Sequence, residues 1–103
     1  MRTTMTARHC DVAPELRARA RALLERLGRV ASRPHDAQVL FAEDHGEAVV
    51  EVRLHTARGQ VHVGKALAAD HRTALDRAVA RVRRQLDKKR LPARRRSLAR
   101  EPR

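Results

Sequence analysis

Four cations in the last third of the chain have the spacing needed to hold a row of phosphates. Arg77, Arg81, Arg84 and Lys88 stand at offsets 0, 4, 7 and 11. At about 100° per residue they share one side of a helix, roughly 180–240° round from Leu75, and make a ridge about 16 Å long. Arg83, Lys89 and Arg90 broaden it toward the helix end. The guanidinium fork suits phosphate because it is planar, donates paired hydrogen bonds and is weakly hydrated. The competing reading is a merely solvated helix face, but such faces usually mix Glu with Lys or Arg. This ridge carries no acid, so a polyanion partner is the stronger expectation.

The other reactive side chains do not converge on a catalytic centre. Cys10 is the single cysteine. It excludes an internal disulfide and a zinc knuckle, and reads as a half-buried thiol at a strand end in a reducing compartment. His55 and His62 would face each other across a hairpin turning at Arg58-Gly59. Two histidines are short of a metal's ligand set, and no third or fourth ligand is within evident reach, so they are expected to be surface histidines. Asp70-His71 reads as a helix cap and its first-turn neighbour, not part of a triad. No GxSxG, glycine-rich phosphate loop or HExxH occurs. The expectation is a protein that is not an enzyme, with no metal, no cofactor and no small-molecule substrate.

Bulk composition narrows the partner. A chain of 103 residues makes one domain. Its net charge is +12. Residues 1–71 carry 11 basic and 9 acidic side chains, whereas residues 72–103 carry 13 and 3; the charge is therefore concentrated on the segment that bears the ridge. Phe41 is the only aromatic, which excludes the aromatic stacking platforms used to read single-stranded bases and leaves Leu, Val, Ala and Met to fill the core. No run approaches the ~18 apolar residues of a membrane span, and no signal peptide is visible. A cytoplasmic protein, monomeric on its own, is expected.

The elements that position the ridge follow from periodicity. Residues 2–8 alternate, with Thr3, Met5 and Ala7 inward. Pro14 opens a helix without a Ser or Thr cap, since Ala13 stands at that place. Leu16, Ala20, Leu23, Leu24 and Leu27 form its apolar stripe, and Gly28 is read as its stop. Arg17, Arg19, Arg21 and Arg26 flank that stripe on both sides. A second strand covers 37–43 with Ala37, Val39 and Phe41 on one face, followed by a turn at Asp44-His45-Gly46. Residues 47–56 place Ala48, Val50, Val52 and Leu54 inward; residues 60–67 are read as returning with Val61, Val63 and Leu67 inward. Asp70 caps the last helix, whose stripe is Leu75, Ala78, Val79, Val82 and Leu86. Pro92 ends it, leaving residues 92–103 as a disordered basic tail after a domain spanning 1–91. The order is β-α-β-β-β-α, an α+β fold with a four-stranded sheet and both helices on one face, strands one and two parallel.

In that order the strings TTMTARH, DVAPELR, VEVRLHTARGQVHV and DHRTALDRAVARVRRQLDKKR resemble the short ribosome hibernation-promoting factors, the family of ribosome-associated inhibitor A and the sigma-54 modulation proteins. The likeness covers about residues 3–90. It implies a fold like a double-stranded-RNA-binding domain. It also implies binding to small-subunit ribosomal RNA at the decoding centre, across the mRNA channel and the tRNA sites, as a translation inhibitor in stressed cells. The family's basic residues in the last helix map onto Arg77, Arg81, Arg84 and Lys88; those of the first helix map onto Arg17 and Arg21. Where the family usually has Asp-Met-Tyr, this chain has Asp70-His71-Arg72. It ends before the second, dimerising domain of the long members, so pairing of two ribosomes through that domain is not expected. Two other readings stay open: a general RNA-binding or RNA-chaperone module without preference for ribosomes, and an adaptor for an acidic protein. Competition by mRNA and tRNA separates the first from a ribosome-specific factor; binding that survives nuclease identifies the second.

Overall fold

A computed structural model describes residues 1–90, with side chains as far as Lys88. The chain forms β1 (Arg2–Ala7), α1 (Pro14–Val30), β2 (Asp36–Asp44), β3 (Glu47–His55), β4 (Val61–Ala68) and α2 (His71–Arg90). The strands lie in chain order in one sheet. β1 runs parallel to β2, and the rest of the sheet is antiparallel. The expected helix stop at Pro92 and the expected tail lie outside the described residues.

One core explains the arrangement. Ala37, Val39 and Phe41 of β2 and Val50, Val52 and Leu54 of β3 alternate onto one face of the sheet. There they meet Ala20, Leu24 and Leu27 of α1 and Ala74, Leu75, Ala78, Val82 and Leu86 of α2. Each helix has one apolar stripe to bury, and the same face of the sheet takes both. Full burial of a side chain such as Leu75 or Leu54 contributes roughly 1.5–3 kcal/mol. The turn between β2 and β3 has positive φ at both His45 and Gly46, as a two-residue type I′ hairpin requires.

Strand β4 reverses the expected facing. Val61, Val63 and Leu67 are exposed by 46%, 39% and 43%, while His62, Gly64, Ala66 and Ala68 point into the core. The cause is the β3–β4 connection. Thr56 N–H donates to Gln60 O at 2.9 Å, so three residues, Ala57–Gly59, make the loop rather than the two of a tight turn. Leu54 then pairs with His62, and His55 with Val61. A one-residue change of register turns every side chain of a strand to the other face. His62 is accordingly only 6% exposed, not a surface residue, and it lies on the opposite face of the sheet from His55.

Small inner residues on β4 suit what covers them. A Cβ on Gly64 would overlap the Ala78 carbonyl oxygen and press on Arg81 Cβ at 3.1 Å. Glycine is what allows the α2 backbone to lie this close to β4. Gly28, by contrast, does not stop α1, which continues to Val30 and is closed by Ala31 N–H donating to Leu27 O. A Cβ there would meet the Met1 side chain at 3.1 Å, so this glycine makes room for packing. Ala13 makes no side-chain cap, as expected. Asp70 does cap α2: Thr73 N–H donates to its Oδ1 at 2.7 Å and the Thr73 hydroxyl to its Oδ2 at 3.0 Å. These bonds hold the Asp70 carboxyl below its ordinary value.

Candidate nucleic-acid interface

Helix α2 has two flanks of different electrostatic character. On the flank facing α1, Asp76 accepts a paired bond from Arg19 of α1, 2.9 Å at each oxygen. That carboxylate raises the Arg19 pKa, through the hydrogen bond first and the charge second. Asp76 lies at about 100° from Leu75 on the helical wheel and Asp87 at about 120°, so the only acids of α2 share this flank. Asp87 is met by Arg83 at 3.3 Å. Arg83 therefore belongs to the neutralised flank and does not widen the ridge.

The other flank lies over the free edge of β4, and it carries Arg77, Arg81, Arg84 and Lys88. All four are exposed, and none pairs with a carboxylate among the described residues. Two of them are anchored. Arg77 Nη1 donates to Leu67 O at 3.4 Å, and Arg81 Nη1 donates to Lys65 O. Gln85 continues the row, donating from Nε2 to Val63 O at 2.7 Å. Residues 77, 81 and 85 are one helical turn apart, and carbonyls 63, 65 and 67 alternate along the outer edge of the strand. Side chains thus satisfy acceptors that an edge strand leaves unpaired. Each guanidinium has five N–H donors, so a single bond to the strand leaves most of the fork for a ligand.

Between this flank and β4 runs a groove of about 510 Å³, floored by Val63 and Gly64 and walled by Lys65, Arg81, Arg84 and Lys88. Lys65 was not among the residues singled out from the sequence. Reading Val61, Val63 and Leu67 as inward put Lys65 inward as well, and the true register turns it to the solvent. Gln85 was missed because its part in the site is to hold the edge strand, which no charge pattern reveals.

The remaining expected site residues lie apart from the groove. Arg17 and Arg21 are exposed on α1, with Arg17 Nε donating to Val12 O at 3.4 Å; the Arg19–Asp76 bridge stands between their helix and the ridge. Arg90 is the last residue of α2, and its side chain lies outside the described residues. His71, at the family's departure point, packs its ring edge-on to Phe41 with centroids 6.0 Å apart. Its Nε2 lies 2.8 Å from Ala42 O. Cys10 is half-buried, its thiol 3.5 Å from Phe41 O. Among the described residues no group of three or more His, Cys, Asp or Glu could hold a metal ion, and no helix is long and apolar enough to cross a membrane.

Residues 3–91 match the family described as sigma 54 modulation protein / S30EA ribosomal protein. The chain belongs to this family. Its members are ribosome-associated modulation factors rather than known enzymes. No curated protein sequence matches the chain significantly. Among solved structures, a ribosomal subunit interface protein from Coxiella burnetii superposes with a TM-score of 0.76 at 19% identity, over 87% of this chain and 98% of that one. The N-terminal domain of Protein Y from Thermus thermophilus does so with a TM-score of 0.71 at 23% identity, over 82% and 93%. At these identities the likeness is one of fold. It shows that the S30EA architecture holds with Arg72 and without a tyrosine or tryptophan anywhere in the chain.

Proposed function

We propose that this S30EA-family chain docks on small-subunit ribosomal RNA near the decoding centre, through the β4-facing flank of α2, and holds the ribosome inactive. The observation that carries the reading is the sorting of charge on α2: both acids lie on the inner flank beside arginines, and Arg77, Arg81, Arg84 and Lys88 stand over the sheet edge with no carboxylate partner among the described residues. An exposed row of this kind attracts a phosphate backbone and releases its counterions. The family and the name of the Coxiella burnetii neighbour, a ribosomal subunit interface protein, agree with a ribosomal target. In this proposal the factor acts in the cytoplasm, as a monomer when off the ribosome.

Arginine and lysine against phosphate fix position but read no sequence. Selectivity for the ribosome then comes from the shape of a folded RNA surface, as with other modules that contact RNA through its backbone. The test is co-sedimentation with small subunits in sucrose gradients, with mRNA and tRNA as competitors and a plain RNA duplex as control. Displacement by mRNA and tRNA but not by equal duplex supports the proposal; equal displacement by the duplex supports the general RNA-binding reading instead.

A further inference from the structure

A second concavity lies away from the ridge, between the α1–β2 connection and the β3–β4 loop. It is half-open and has a volume of about 700 Å³, within the usual 300–1,000 Å³ range of small-ligand pockets. Half-buried Val30 and Ala31, with buried Leu86, supply its apolar lining. Thr56 and His62, both buried, form a polar floor with Thr56 Oγ1 and His62 Nε2 3.4 Å apart. Arg33 and Arg58 stand at the rim, exposed. Among the described residues no carboxylate lines the cavity, and neither arginine has a carboxylate partner.

The backbone at the rim is also unusual. Arg33 and Arg58 both have positive φ, 49° and 65°, a conformation that costs a residue with a Cβ about 1 kcal/mol or more and that Gly or Asn adopts more readily. Two arginines in this state face one cavity. The loops that carry them are tied together: Ala57 N–H donates to Ser32 O at 3.4 Å, and His35 N–H to His55 O at 2.8 Å. The rim is therefore held in place before any ligand arrives, which lowers the entropy lost on binding.

We propose that this cavity takes a nucleoside phosphate, its phosphate on Arg33 and Arg58 and its base against the half-buried Val30 and Ala31 above the Thr56–His62 floor. The pairing of cationic rim, apolar wall and hydrogen-bonding floor matches an anion joined to a flat, polar-edged ring better than it matches an anion alone. The same chemistry is presented by a free nucleotide and by an unstacked nucleotide of an RNA strand. The cations of the α2 ridge take no part in this site.

The test is a titration of the full chain, followed by the amide signals in two-dimensional nitrogen–proton NMR. The probes are the four nucleoside 5′-monophosphates, inorganic phosphate at matched ionic strength, and single-stranded tetranucleotides. Saturable shifts at residues 30–33 and 56–62 are expected with at least one nucleotide. Arg33→Gly and Arg58→Gly, which keep the left-handed backbone without strain, should each weaken that binding about tenfold. Tetranucleotides binding at least tenfold tighter at the same amides assign the ligand to an RNA strand; equal or weaker binding assigns it to the free nucleotide. Shifts confined to residues 71–88, equal shifts with inorganic phosphate alone, or unchanged affinity in both glycine variants would each overturn the proposal. Losing ridge binding through Arg84→Gln and Lys88→Gln leaves these signals untouched, so the two sites are tested separately.

Discussion

Neutralising Arg84 and Lys88 together isolates the electrostatic part of the proposed RNA docking. These two residues wall the groove and, unlike Arg77 and Arg81, make no hydrogen bond to the sheet edge among the described residues. The double variant Arg84→Gln, Lys88→Gln should therefore change stability by no more than about 0.5 kcal/mol. Four ridge cations engaging four phosphates give a slope of log K against log salt of about −3.6, at roughly 0.9 per phosphate. Affinity should then fall about 150-fold between 50 and 200 mM salt. With two contacts removed the slope becomes about −1.8, and the same change of salt costs only about 12-fold. Filter binding or fluorescence anisotropy with small subunits, repeated at four or five salt concentrations, reads both slopes directly. A variant that binds more weakly with an unchanged slope would refute the reasoning, because its loss would not come from phosphate contacts. Unchanged binding would refute the location of the site.

Gly64→Ala should destabilise the fold by about 1–3 kcal/mol, the usual range for overpacking, as a lower urea midpoint with an unchanged m-value. Because the added methyl would also displace α2 from β4, RNA affinity should fall even at temperatures where the variant is fully folded. Arg77→Lys with Arg81→Lys keeps the charge but loses the fork, since an ammonium cannot hold the strand carbonyl and present a planar pair outward at once. Its salt slope should match the parent, with affinity lower by roughly threefold to tenfold from ordering two freer side chains. Asp70 has a carboxyl pKa lowered from 3.8 by the Thr73 bonds, so its stabilising effect is present above about pH 4 and fades as pH falls through the lowered value. Thermal melts between pH 2 and 6 should show a shallower acid loss in Asp70→Asn than in the parent; identical acid limbs would remove the cap from the account.

The order of elements was legible because each signal is local. Alternation in β2 and β3, the two helical stripes, the Asp70 cap and the His45-Gly46 turn depend on residues a few positions apart. What failed depended on distant partners. In β4, Val61, Val63 and Leu67 are the more apolar set, and apolar residues normally mark the inner face. The inner set is instead Gly64, Ala66 and Ala68 with His62, and at Gly64 the α2 backbone passes too close for any side chain. A glycine near a helix end usually marks a stop, but Gly28 instead makes room for the side chain of Met1, 27 residues away in the sequence. The cations of α2 were placed on the correct side by the wheel alone. Which of them would be neutralised depended on where α1 and the sheet edge lie, and this separates Arg83 from its neighbours.

The same close approach that hid the facing of β4 also builds the candidate interface. Gly64 lets the α2 backbone settle at Ala78, and this seat fixes the rotation of the helix about its axis. In that rotation Asp76 meets Arg19 on one side, while Arg77, Arg81 and Gln85 reach the β4 carbonyls on the other. A bulkier residue at position 64 would lift or roll the helix. A roll of even 40°, under half the angle between successive residues, would carry the arginines off the strand edge and the acids toward it. The cationic row is thus a property of the packing as much as of the sequence, held by a glycine that carries no charge. Side chains anchored at the strand edge also lose less freedom when they meet phosphate than free surface arginines would. For this reason the β4 edge, and not net charge alone, gives the proposed RNA docking of the +12 chain a defined place.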